Sequence, residues 1–251
     1  VSPKWVPQMA DTADVMAKIN RKENVSYGVL TPNLKGYEGA IASKADELLI
    51  FSAASEEFNQ RNINCSIAES LARFEPVVTA AKKDGIKFRA SVSCSLGSPF
   101  GEVITPAAVA DVAKKLYDMG AYEISIADTI GVGTPEKTRI VLETVADAIP
   151  LEAIGVHFHD TYGQALANIL AALQVGVTKI DSSIAGLGGC PYAPGATGNV
   201  ATEDVVYMLE GMGIDSGLNL KKLVETAWFI SDYLDRAPVS SVAKALKDKL
   251  N

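Results

Sequence analysis

Six short apolar stretches alternate along this chain with longer runs of helical periodicity, and no other feature constrains the fold as strongly. SYGVLT (26–31), ELLIFSA (47–53), KFRASVSC (87–94), YEISIAD (122–128), AIGVHFHD (153–160) and TKIDSSIAG (178–186) read as strands. They are mostly rich in β-branched and apolar residues without clean polar alternation, which suits parallel strands covered on both faces. The stretches between them carry helix punctuation. Thr105 and Thr134 each stand before a proline at the first helical position, Ser66 and Glu69 have capping-box spacing, and Gly85, Gly120 and Gly176 mark helix ends. Beyond residue 200 the pattern is helical, with Leu220, Leu223, Val224, Ala227 and Ile230 on one face.

Such alternation without a linker predicts a single α/β domain over 1–251, with 201–251 a helical C-terminal region. A doubly wound open sheet and a TIM-type (β/α)8 parallel barrel both fit. Both place their sites at the C-terminal ends of strands, where Thr31-Pro32-Asn33, Asp128-Thr129 and His157 to Asp160 lie. No G-x-G-x-x-G follows an early strand, which favours the barrel. About six of its eight strands are visible, and six alone would leave two sheet edges open. The chain also opens VSPKWVPQM without an initiator Met. It is therefore expected to be the interior of a longer protein whose first two strands precede Val1.

Charge and cysteine usage remove several functions. Net charge is −7 and no basic run exceeds Lys82-Lys83 or Lys221-Lys222, a poor footprint for nucleic acid or an anionic membrane. No apolar stretch approaches the roughly 20 residues a membrane span needs. Cys65, Cys94 and Cys190 are odd in number and widely spaced, which argues for a reducing compartment and against a disulfide framework.

The chain's only two histidines are His157 and His159, one residue apart at the mouth of a strand. Residues at i and i+2 of a strand share a face, so the two imidazoles converge. That arrangement suits a first-row divalent metal, and oxygen donors from other loops would turn the choice toward Mg²⁺ or Mn²⁺. Asp160 is expected to cap a helix beginning at Thr161.

Residues 183–199 hold five glycines and two prolines in seventeen positions. A loop of that length is read as functional, with glycine hinges for a closing lid and the Cys190 thiol as an acid or base. Asn199, where the loop meets the next helix, can offer an amide oxygen to the same mouth. Asp128 has two readings: turn chemistry with Gly131 and Gly133, or a carboxylate orienting a ligating imidazole. ASEEFNQRNINCS (54–66) reads as a polar loop, with Arg61, Asn62 and Asn64 as candidate substrate contacts.

Long runs of the chain together resemble the 3-hydroxy-3-methylglutaryl-CoA lyases, of the metal-dependent TIM-barrel lyase and synthase superfamily. The resemblance rests on VSPKWVPQM (1–9), LTPNLKG (30–36), NINCS (62–66), YEIS (122–125), DTIGVGTP (128–135), HFHDTYGQALAN (157–168) and GLGGCPYAPGATGNVATEDVVYMLEG (186–211). Related synthases carry a Gly-Glu-Arg type sequence where this chain reads Gly188-Gly189-Cys190-Pro191, which favours lyase over synthase. The resemblance implies cleavage of 3-hydroxy-3-methylglutaryl-CoA to acetyl-CoA and acetoacetate with Mg²⁺ or Mn²⁺. It implies metal ligands at His157, His159 and Asn199, proton transfer by His157 and Cys190, an acidic site residue at Asp128, and substrate contacts at Asn62 and Thr129. An acyl-CoA as partner, neither nucleic acid nor membrane, a homodimer, and a bacterial cytoplasm or mitochondrial matrix are also implied. A related carbon–carbon lyase or synthase on another acyl-CoA, or a degenerate acyl-CoA-binding barrel without catalysis, are the alternatives. The family's Arg-Asp-Gly-Leu-Gln first strand, with its metal-binding aspartate, and the glutamate of its second strand do not occur in these 251 residues. By themselves these residues are therefore expected to have crippled activity.

Overall fold

A computed structural model describes residues 10–189 and 198–249. The chain divides into two compact units. One takes the residues up to Ser93 with Thr105–Ile126 and Thr144–Ile154, the other Cys94–Ile104, Ala127–Glu143 and Gly155 onward.

The first unit runs α1 (Thr12–Lys18), β1 (Gly28–Leu30), α2 (Leu34–Ala42), β2 (Glu47–Ala53), α3 (Glu56–Ile63), α4 (Ile67–Asp84), β3 (Lys87–Ser93), α5 (Pro106–Asp118) and β4 (Ile124–Asp128), whose last two residues belong to the second unit. Each strand pairs in parallel with its successor: Gly28 opposes Glu47, Glu47 to Ala53 oppose Lys87 to Ser93, and Ala90 opposes Ile124. Leu48, Ile50, Ala90, Val92, Ile124 and Ile126 are all fully buried, as expected of strands covered by helices. The helices begin where local chemistry starts them. The Thr105 hydroxyl accepts the Ala108 amide, and Ser66 and Glu69 form a complete capping box before α4, which ends on a left-handed Gly85.

One local expectation fails. Residues 56–63 form α3 rather than a loop. Its periodicity is masked because most of its side chains are polar. What holds it is specific: the Ser55 hydroxyl accepts the Phe58 amide, and the buried Asn59 donates Nδ2 to the carbonyls of Ser66 (2.9 Å) and Cys65 (3.2 Å).

The second unit continues with α6 (Pro135–Ala146), whose end lies in the first, then β5 (Ile154–Phe158), α7 (Ala165–Val175), β6 (Lys179–Asp181), α8 (Thr202–Gly211), α9 (Leu220–Tyr233) and α10 (Ser241–Leu246). β5 and β6 pair in parallel, with His157 opposite Asp181. β6 is shorter than the sequence suggests, because Ile184–Gly186 turn into a 3-10 helix with Ala185 at φ +57°. Around it Ala185, Val224, Ala227 and Ala243 form a buried apolar cluster. The Trp228 indole N–H donates to the Ala243 carbonyl at 2.8 Å and joins α9 to α10. Among the described residues no helix is long and apolar enough to cross a membrane.

Candidate active site

Most of the residues singled out in the sequence gather in the second unit, at the C-terminal ends of β4, β5 and β6. His157 is the penultimate residue of β5 and His159 follows the strand, with ring centroids 5.4 Å apart and planes tilted by 55°. Strand periodicity does bring the imidazoles together. His157 is half-buried, and its Nδ1 faces the Asp181 carboxylate at 3.7 Å across the β5–β6 register. His159 is buried. Burial first, and the neighbouring His157 second, push its pKa down to about 4, so it is a neutral ring at physiological pH, the form that ligates metals.

Asn199 arrives beside His159 through backbone stitching. The Asp160 amide donates to the Gly198 carbonyl at 2.9 Å, the Val200 amide to Phe158 at 3.2 Å, and the Ser183 amide to Val200 at 3.1 Å. His159 and Asn199 thereby form an isolated antiparallel bridge. The Asn199 side chain is fixed from one end, its Nδ2 donating to the Leu187 carbonyl at 2.8 Å. Its Oδ1 and the Nδ1 of His159 are both buried with no hydrogen-bond partner among the described residues. Buried polar atoms left unpaired are costly and uncommon. Two of them on bridged residues form a donor set that a cation would satisfy, so these residues fit a metal. Among the described residues no group of three or more His, Cys, Asp and Glu side chains could hold a metal ion; the Asn199 amide oxygen is a further donor available beside the two imidazoles.

Gly198 makes this approach feasible. It has φ +95°, and a Cβ there would lie 1.9 Å from the Gly188 carbonyl oxygen. Only glycine lets the two flanks of the 184–201 segment lie backbone against backbone.

Asp128 is fully buried at the end of β4. Its Oδ1 accepts the Val132 amide at 3.1 Å and its Oδ2 the Gly133 amide at 2.8 Å. Burial raises its pKa, while the amides of Gly133, Val132 and Gly131 and the charge of Lys137 pull the other way. Of the two readings of Asp128, turn chemistry describes its carboxylate. The link to the histidines is made by its main chain instead, the His159 amide donating to the Asp128 carbonyl at 3.2 Å. Next to it the Thr129 hydroxyl accepts the Cys94 amide at 2.7 Å. Asp160 is not the N-cap expected of it: α7 begins at Ala165 behind Gln164, after a turn through 161–163, and Asp160 Oδ1 reaches the helix start from outside by accepting the Ala165 amide at 2.9 Å. Asn62 lies in the first unit, exposed on α3. Cys190 lies outside the described residues. Cys65 and Cys94 are buried thiols.

Two further carboxylates belong to this unit. Asp181 faces His157, and the fully buried Glu203 accepts the Ala185 amide at 2.9 Å while its other oxygen has no partner among the described residues. Burial, more than the nearby Asp204, pushes the Glu203 carboxyl above its ordinary range. Nothing in the sequence marks either residue. Asp181 matters only through strand register, and Glu203 looks like an ordinary acidic residue in the first turn of a helix.

The HMGL-like family model matches residues 3–230. The human mitochondrial hydroxymethylglutaryl-CoA lyase is 58% identical over 98% of this chain and 75% of its own length. The crystal structure of hydroxymethylglutaryl-CoA lyase from Pseudomonas aeruginosa superposes with a TM-score of 0.96 at 53% identity, covering 99% of this chain and 83% of that one. An HMG-CoA lyase from Acinetobacter baumannii, solved with coenzyme A and 3-methylmalate, gives 0.94 at 34% identity, covering 99% and 81%. The six strands and their helices are those of a TIM-barrel lyase fold, and the chain belongs to the hydroxymethylglutaryl-CoA lyase family.

Proposed function

We propose that this chain carries the site for divalent-metal-dependent cleavage of 3-hydroxy-3-methylglutaryl-CoA to acetyl-CoA and acetoacetate. The observation that carries the reading is the pair of buried, partnerless atoms, His159 Nδ1 and Asn199 Oδ1, on bridged residues beside His157. Coenzyme A in the Acinetobacter relative's structure supports an acyl-CoA substrate. Enzymes of this family depend on a divalent metal. Here His157, His159 and Asn199 would hold it, and Mg²⁺ or Mn²⁺ suits the amide and substrate oxygens that complete the set. Bound there, the cation supplies positive charge that polarises the substrate's oxygens and stabilises negative charge as it develops.

The chain's own groups handle the protons. His157 takes the proton of the C3 hydroxyl on the ring nitrogen that it does not give to the cation, and the Asp181 carboxylate, 3.7 Å from Nδ1, stabilises the charge that the ring gains. As that O–H bond breaks, C3 becomes the ketone carbon of acetoacetate. The C2–C3 bond breaks with it, and the electron pair stays on C2 as the acetyl-CoA enolate. The Cys190 thiol returns a proton to C2 and completes acetyl-CoA. Thr129 and Asn62 contact substrate, and Asp128 serves the reaction by holding the turn on which Thr129 sits.

Expressed with whatever residues flank it in its gene, the protein should release acetoacetate from 3-hydroxy-3-methylglutaryl-CoA when Mg²⁺ or Mn²⁺ is supplied, and lose that activity to a chelator. A folded protein that releases none with either metal refutes the reading. The same proposal carries a homodimer, and a bacterial cytoplasm or a mitochondrial matrix as its location. Relatives named mitochondrial (58% identical) and cytoplasmic (54% identical) are compatible with more than one compartment.

A further inference from the structure

We propose that Asn168 is a positioning residue for this reaction, holding the Asp128–Gly133 turn in the geometry that presents Thr129 and anchors His159. Asn168 lies in the middle of α7 and is fully buried, on a helix whose other buried residues are Ala165, Ile169, Ala171 and Ala172. An amide in such a face is costly unless it is used. Its Nδ2 donates to the Gly133 carbonyl at 3.1 Å, while its Oδ1 is buried with no partner among the described residues. The donor half of the side chain is therefore the half in use.

That single bond feeds a chain of others. Gly133 turns its amide onto Asp128 Oδ2 at 2.8 Å, Val132 turns its amide onto Oδ1 at 3.1 Å, and the Asp128 carbonyl accepts the His159 amide at 3.2 Å. The turn has no slack at the point where Asn168 grips it. A Cβ on Gly133 would lie 2.4 Å from Leu96 Cδ1, 2.8 Å from Asp128 Oδ2 and 3.2 Å from Asn168 Nδ2. The other end of the lever is fixed too. Asp160 Oδ1 accepts the Ala165 amide at the start of α7, and the Asp160 amide donates to the carbonyl of Gly198, the neighbour of Asn199. Asn168 thus ties the Thr129 turn to the same helix that is pinned beside the metal-binding residues. Misplacement of reacting groups by about 1 Å can cost on the order of 10²-fold in rate, so loss of this tie should reach the chemistry.

The inference rests on the reading that the Asp128–Thr129 turn borders the substrate. The test compares Asn168→Ala, Asn168→Asp and Asn168→Ser with the parent and with Ile169→Val, a methylene deletion at the next buried position of α7. Each is assayed for kcat, KM, thermal midpoint and Mn²⁺ dissociation constant, per folded molecule. The three Asn168 variants should lose about 10- to 100-fold in kcat, with KM changed by much less. Ile169→Val should lose thermal stability and keep its kcat. Parental kcat in any folded Asn168 variant overturns the inference. So does failure of all three to fold while Ile169→Val folds, because the amide would then determine the fold rather than the turn. Thr129→Ala separates the two levels: if it also leaves activity intact, the reading of the turn itself is wrong; if it alone is impaired, only the role of Asn168 is.

Discussion

Gly198→Ala is the substitution whose cost can be worked most directly from the structure. Gly198 has φ +95°, a backbone region that costs an L-residue about 1–2 kcal/mol even near its left-handed minimum. The added Cβ would stand 1.9 Å from the Gly188 carbonyl oxygen, 2.9 Å from its carbon and 3.1 Å from the Gly186 oxygen. All three are backbone atoms, so no side-chain rotation relieves the overlap and the two flanks of the segment must part. Parting them threatens the 2.9 Å bond from the Asp160 amide to the Gly198 carbonyl, worth about 1 kcal/mol net. The expected total is about 3 kcal/mol, or a midpoint lower by about 6–12 °C for a chain of this size. Urea unfolding followed by circular dichroism measures it, and Mn²⁺ titration should show weaker binding, because Asn199 moves with Gly198. Gly189→Ala is the control: a Cβ there meets nothing within 4 Å among the described residues, so its effect should stay within about 0.5 kcal/mol. A Gly198→Ala protein as stable as the parent, or a Gly189→Ala protein equally damaged, would refute the reasoning.

Asn199→Ala removes the unpaired Oδ1 and the bond to Leu187 together; Mn²⁺ affinity by calorimetry should fall at least about 10-fold, and an unchanged constant would remove Asn199 from the ligand set. Glu203 has a pKa raised by burial, so the folded state holds its proton more tightly than the unfolded chain does. Its contribution to stability is therefore greatest in acid and declines as pH rises through the folded pKa. Glu203→Gln has no such titration, and its stability relative to the parent should improve between pH 4 and 7; a pH-independent difference in unfolding free energy would contradict this. Asp204 accepts the Ser240 hydroxyl at 2.7 Å and the Val242 amide at 2.8 Å at the start of α10. Asp204→Ala should cost about 2 kcal/mol and speed amide exchange in α10, and unchanged exchange there would show that the helix is held by apolar packing alone.

Local chemistry was legible without the structure because it acts over a few residues. Ser66 finds Glu69 three positions on, Thr105 meets the amide of Ala108, and glycine ends α4 and α7 wherever the helices lie in space. Strand periodicity put His157 and His159 on one face for the same reason, and their rings are 5.4 Å apart. What escaped was set by approach between segments distant in sequence. α3 is held by Asn59 reaching Ser66, β6 stops where Glu203 takes the Ala185 amide, and Asp128 spends its carboxylate on the turn that Asn168 grips from α7. The sequence by itself determined the alternating fold and the histidine pair, since both follow from backbone periods of two and 3.6 residues. Only the tertiary structure decided that Asn199 Oδ1 and His159 Nδ1, on bridged residues, are buried without partners among the described residues, because desolvation depends on which distant segments close over an atom.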